Sequence, residues 1–154
     1  MVNTLSKTIE GYLNSMIFIM KQKFTDYWSL VHLFMGFMFV YINKIYFKIK
    51  DFKKLFLISQ VLHLLYETKD YILTYNKDIY DKLKDKFPLF HKYGIIHSSN
   101  TITNSFGDHF YFTIGFLSAY YLKDTHYLQK GAFMYLFLVI LGVVDHLYNE
   151  KYKN

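Results

Sequence analysis

The chain has no cysteine, no arginine and one proline in 154 residues. Without thiols, disulfides, thiolate nucleophiles and Cys-ligated metal centres are excluded, although no compartment follows from that. Without arginine, the Arg-containing phosphate sites of lipid phosphatases are impossible. Three further signatures are missing: the H-x-x-H-H boxes of di-iron lipid desaturases, the G-x-S-x-G of serine hydrolases and a Gly-rich phosphate loop. There is no internal repeat and no Gly/Pro-rich linker, and the length suits one domain. All 18 basic residues are lysine. Lys, Asn, Ile, Tyr and Phe are overused together, as A/T-rich codons would dictate, so the net charge of +6 is weak ground for a nucleic-acid partner. No basic patch is interleaved with a binding motif, and no such partner is expected.

What the sequence does have is apolar mass, 53% hydrophobic and 21% aromatic residues. These residues gather into blocks able to cross a bilayer, which takes about 20 residues of helix. Four spans are expected, at about 27–47 ("SLVHLFMGFMFVYI"), 54–74 ("LFLISQVLHLLYE"), 101–122 ("FYFTIGFLSAYYL") and 131–148 ("GAFMYLFLVILGVV"). The fold class is therefore an all-α integral membrane protein, multi-pass, in a single domain over residues 1–154. A soluble all-α bundle with a large core is the alternative. Residues 1–26 hold "IEGYLNSMIFIM", too short to span and without the basic start and cleavage site of a secretory signal. An interfacial amphipathic helix is expected there, with a short fifth span as the alternative.

The one long connection, residues 75–100, alternates Lys and Asp with Ile, Tyr and Leu, which predicts a short surface helix ending before Pro88. The connection "NKIYFKIKDFKK" carries five Lys against one Asp, and "KDTHYLQK" adds two Lys. Short lysine-dense loops favour the cytoplasmic side, which puts residues 43–54 there.

Four alternating spans bring one set of polar residues to a single face of the membrane. His32 lies near the start of the first span; His63, Glu67 and Asp70 lie toward the end of the second; Asn100, Asn104 and Asp108 open the third; Asp145 and His146 end the fourth. At 100° per residue, Gln60, His63, Glu67, Asp70 and Thr74 share an arc of about 80°, as do Asn100, Asn104, Asp108, Tyr111 and Gly115. Ser29, His32, Gly36 and Asn43 share another. Intramembrane ionisable residues almost always face inward, so the three stripes are expected to converge in a vestibule open to one surface. Gly36 and Gly115 lie on the stripes, where a missing side chain lets helices approach.

The blocks "SLVHLFMGFMFVY", "YETKDYILTY" and "NTITNSFGDHFYFTIGF" resemble the signature blocks of the VanZ-like membrane proteins. The nearer likeness is to a related bacterial family of membrane proteins, with a His-containing first block, an E-x-x-E block and D-x-x-x-N-S-x-x-D followed by G-F. The resemblance, over about 90 residues, matches His32, Glu67, Asp70, Asn104, Ser105, Asp108, Gly115 and Phe116. Asn100 stands where the family has Asp, and Asp70 where it has Glu. VanZ-like proteins are associated with resistance to a glycopeptide antibiotic that acts at the cell envelope. The resemblance implies the fold, the topology and the site more than a reaction.

The expected site is His32, Glu67, Asp70, Asn104 and Asp108, binding a lipid or lipid-linked headgroup, with membrane lipid as the partner; whether it also modifies the headgroup chemically is left open. Two chemistries fit. A divalent metal would draw its ligands from His32, His63, Glu67, Asp70 and Asp108 and engage a lipid phosphate or activate water. Alternatively Glu67 or Asp70 acts with His32 as a general acid/base pair. Each residue also has a plainer reading. His32, Asn104 and Asp108 could simply hydrogen-bond one helix to another, as could His63, His109, Asp145 and His146, with His109 turned about 100° from Asp108. On that view the chain is a non-enzymatic scaffold or membrane-remodelling subunit. Proton or ion transfer along the carboxylates is a third possibility.

Overall fold

The computed structural model describes residues 24, 26–92, 101–122 and 124–152, with side chains as far as residue 148. The helix expected within residues 1–26 lies outside these almost entirely, and so does Asn100. Among the described residues all regular structure is helical: α1 (Tyr27–Ile42, continued by a π-helical turn, Asn43–Phe47), α2 (Phe52–Tyr75), α3 (Lys77–Lys86), α4 (Pro88–Lys92), α5 (Ile102–Tyr121) and α6 (Thr125–Tyr152). Two segments, Tyr27–Phe47 and Thr125–Tyr148, are long and apolar enough to cross a membrane.

Local chemistry fixes the helix starts. Asp26 caps α1 by accepting from the amides of Trp28 and Ser29 at 2.8 and 3.1 Å, while its own amide donates to Ser29 Oγ at 3.2 Å. Asp51 and Thr101 cap α2 and α5 through the amides of Lys54 and Asn104. The turn from α1 to α2 is built on Asn43. Its side chain donates to the Ile49 carbonyl at 3.1 Å and accepts from the Ile49 amide at 3.0 Å, around Lys48 at φ 53°. Asn43 shares an arc with His32 but closes a turn at the far end of α1. The long connection carries α3, which ends at Lys86, directly before the Phe87–Pro88 pair.

The last helix starts earlier than expected, at Thr125 instead of residue 131, so "THYLQK" is its first two turns and not a loop. Apolar density marks only the middle of such a helix, because backbone hydrogen bonding continues through polar residues.

The four long helices alternate in direction. Ser29 meets Asp108 and Gly36 meets Gly115, so α1 and α5 run parallel. Along α2 and α5 the pairs are Phe52–Tyr120, Phe56–Phe116 and His63–His109, which is antiparallel. Gly142 lies against Trp28 and Gly131 against Phe37, so α6 runs antiparallel to α1. Helix α1 is central, packed along α5 and α6, and α2 leans on α5.

Polarity is split along the bundle. Val40, Leu55, Phe116, Ala119 and Leu128 form an apolar core at the end where α1 passes into α2. The opposite end buries Ser29, His32, His63, Glu67, Asp70 and Asp108. Meanwhile Leu57, Val61, Leu62, Leu64 and Leu65 of α2 and Phe133, Phe137, Ile140 and Val144 of α6 are exposed. An exposed apolar surface of this extent marks contact with a membrane or with a protein partner.

Candidate functional site

The crossing of α1 and α5 sets the site. A Cβ at Gly36 would meet the backbone of Gly115 and Phe112 at 2.7 Å, and one at Gly115 would run into the Leu33 carbonyl. Only glycine permits that approach, and two turns along it brings Ser29 and His32 to Asp108. Ser29 Oγ, already part of the α1 cap, donates to Asp108 Oδ1 at 2.8 Å. Asn104 Nδ2, one turn before Asp108 on α5, donates to Asp108 Oδ2 at 2.6 Å. The carboxylate is therefore held from two helices, and it is 2% exposed.

The imidazole of His32 joins the other two groups. Its Nε2 lies 3.6 Å from Glu67 Oε1 and 3.8 Å from Asp108 Oδ2. On its other side Nδ1 lies 2.8 Å from His63 Nε2. His63 and Glu67 are one helical turn apart on α2, with His63 Nε2 3.8 Å from Glu67 Oε1. His63 Nδ1 in turn lies 3.0 Å from His109 Nδ1. Three imidazoles thus stand in series, each contact needing one protonated and one bare nitrogen. Beneath them Phe112 stacks on His63, centroids 4.1 Å apart, and closes the site toward the apolar core.

The expected residues do not all meet. His32, His63, Glu67, Asn104 and Asp108 form one network. Asp70 is buried one turn beyond Glu67, but its Oδ1 pairs with Lys69 Nζ at 2.7 Å, and that ammonium also lies 4.1 Å from the Tyr66 ring centre. Lys69 points off the polar arc by helical angle, yet its long stem folds back. Gln60 ties α2 to α5 by accepting from Thr113 Oγ1, and Thr74 donates to the Asp70 carbonyl within α2. On α6, Asp145 is exposed.

His109 belongs to the site although its angle sets it apart from Asp108. Helix α5 has α1 on one side and α2 on another, so two of its faces are interior. Its position beside Asp108 was the one signal available. Ser29 had a second signal in its place on the α1 arc.

Chemically, the network offers two carboxylates and two imidazoles that are buried, with a third imidazole and an amide half-buried beside them, suited to proton transfer or cation binding. One ligand atom each from His32, His63 and Glu67 lies within 4.8 Å of the others. Comparison of the chain with protein-family models, with curated proteins and with solved structures returns no match.

Proposed function

We propose that the chain is a VanZ-like integral membrane protein with four spans, α1, α2, α5 and α6, that binds and modifies a lipid or lipid-linked headgroup at the His32, Glu67, Asn104 and Asp108 network. The observation that carries this is the inversion of polarity: ionisable groups gather inside one end of the bundle while leucine, isoleucine and phenylalanine face outward. Buried charges with apolar exteriors are costly in water and mark functional positions within a membrane. A headgroup is the polar ligand that a site just below one end of such a bundle would meet first. Glu67 or Asp108 then moves a proton with His32, an acid/base contribution worth about 10²–10⁴ in rate.

Replacing Glu67 or Asn104 by alanine is expected to abolish retention or turnover of lipid by the purified protein while membrane insertion is unchanged. Lipid handling at wild-type level in both variants overturns the reading. Aggregation of both in detergent, with no effect on any lipid, would instead mark a scaffold whose polar network only locks the helices.

The absence of cysteine makes the topology directly testable. Single cysteines replacing Tyr46 and Asp124 are expected to react with an impermeant maleimide from one side of the membrane, the cytoplasmic side, and one replacing Asp81 only from the other. Labelling of all three from the same side rules out four spans.

A second reading rests on the imidazole series. His109, His63 and His32 form a short hydrogen-bonded relay ending at Glu67 and Asp108, as proton conduction would need. Proton flux in liposomes that vanishes in His63→Phe would favour it.

A further inference from the structure

We propose that the network holds one divalent first-row transition-metal ion, ligated by His63 Nε2, one ring nitrogen of His32 and Glu67 Oε1, with Asp108 Oδ2 as fourth ligand. The inference deepens the headgroup reading, and rests on it only for what the ion would do.

Geometry comes first. One ligand atom each from His32, His63 and Glu67 lies within 4.8 Å of the other two, with Glu67 Oε1 3.6 Å from His32 Nε2 and 3.8 Å from His63 Nε2. Asp108 Oδ2 lies 3.8 Å from His32 Nε2. An ion bound at about 2.0–2.2 Å needs its ligands roughly 3–3.5 Å apart, so His32, His63 and Glu67 close in by rotating about their side-chain torsions, and Asp108, outside that group of three, turns further to join them. His63 and Glu67 stand at i and i+4 on α2, the spacing that sets two ligands on one helix face.

The surrounding bonds are compatible with ligand protonation states. If His63 donates from Nδ1 to His109 Nδ1, its Nε2 is bare and aimed at the cluster, with His109 as the orienting outer partner that metal-bound imidazoles need. Ser29 and Asn104 likewise fix the Asp108 carboxylate without supplying a cation.

Charge closes the case. Two carboxylates, two neutral imidazoles and a dication sum to zero, which relieves the cost of burying Glu67 and Asp108 at 4% and 2% exposure. A set of two imidazole nitrogens and two carboxylate oxygens suits zinc, iron, cobalt or manganese, whereas magnesium and calcium prefer oxygen throughout.

The test uses the full chain in detergent, stripped with chelator and titrated with Co²⁺, read by visible absorption and by metal content after gel filtration. One ion per chain is expected, with absorption of a nitrogen- and oxygen-ligated site. His63→Ala and Glu67→Ala should each weaken binding by about 100-fold or more, while Asp70→Asn, one turn away, leaves it unchanged. X-ray absorption on the wild type counts imidazoles without any variant, which keeps the proposal open to refutation if the variants do not fold. Substoichiometric cobalt in the wild type, a shell with no imidazole, or equal loss in Asp70→Asn overturns it. Cobalt bound at one per chain with no lipid retained would keep the metal and remove the headgroup reading. Lipid turnover by the metal-free protein would do the reverse.

Discussion

Gly115→Leu is expected to abolish the folded bundle, seen as loss of the monodisperse detergent-solubilised species and of cooperative thermal unfolding. The obstacle is backbone, not side chain. A Cβ at Gly115 would run into the Leu33 carbonyl and lie 2.7 Å from its carbon, and across the crossing a Cβ at Gly36 would lie 2.7 Å from the Gly115 carbonyl carbon. Neither helix can yield except by moving apart. Separation there also pulls Ser29 and His32 away from Asp108, so packing and site fail together. Gly115→Ala gives a graded and more informative result. In a helix interior without neighbours, alanine should stabilise by about 1 kcal/mol. At this crossing it is expected to destabilise by about 1–3 kcal/mol, as overpacking does. Gly142→Ala is the control, because there the added carbon meets the Trp28 and Tyr27 rings, which can turn aside. A more stable Gly115→Ala would mean that α1 and α5 do not cross at this point.

Much of this arrangement was legible in the sequence, for reasons that also mark where legibility ended. Residues at i, i+3, i+4 and i+7 share a helix face, so His63 with Glu67, and Asn104 with Asp108, could be read off as stripes. Alternation of four helices then brought those stripes to one end. Helical angle, however, gives no depth. Asn43 shares the arc of His32 but lies eleven residues on, about 16 Å along the axis, where it builds a turn. Angle also presumes a single interior face, which misplaced His109 on a helix flanked by α1 and α2. Side-chain reach is a third blind spot, since nothing in helix geometry draws Lys69 to Asp70. Asn104 and Asp108, one turn apart on one face of α5, are hydrogen-bonded to each other. Asn100, where the family pattern has an acid, lies outside the described residues.

The second large effect is expected at Asp108. It is the acceptor for Ser29 from α1 and for Asn104 from its own helix, and its Oδ2 faces His32 at 3.8 Å. Asp108→Ala removes the acceptor from two donors, Ser29, which is buried, and Asn104, which is half-buried. An orphaned buried donor costs about 1–3 kcal/mol, so a loss of about 3 kcal/mol is expected from chemical or thermal unfolding in detergent. Asp108→Asn keeps the volume but sets an amide NH₂ against either Ser29 or Asn104, and should recover only part of that loss. The cross-helix bond can be isolated from the rest. Ser29→Ala alone should destabilise modestly, because Ser29 also caps α1, and the double variant Ser29→Ala/Asp108→Ala should cost less than the two singles together, by about 1 kcal/mol. Strict additivity would mean that Ser29 and Asp108 do not bond across the α1–α5 interface. The same pair separates structure from chemistry. If the double variant regains stability yet retains no headgroup lipid, the Asp108 carboxylate acts on a ligand and not only on its neighbouring helix.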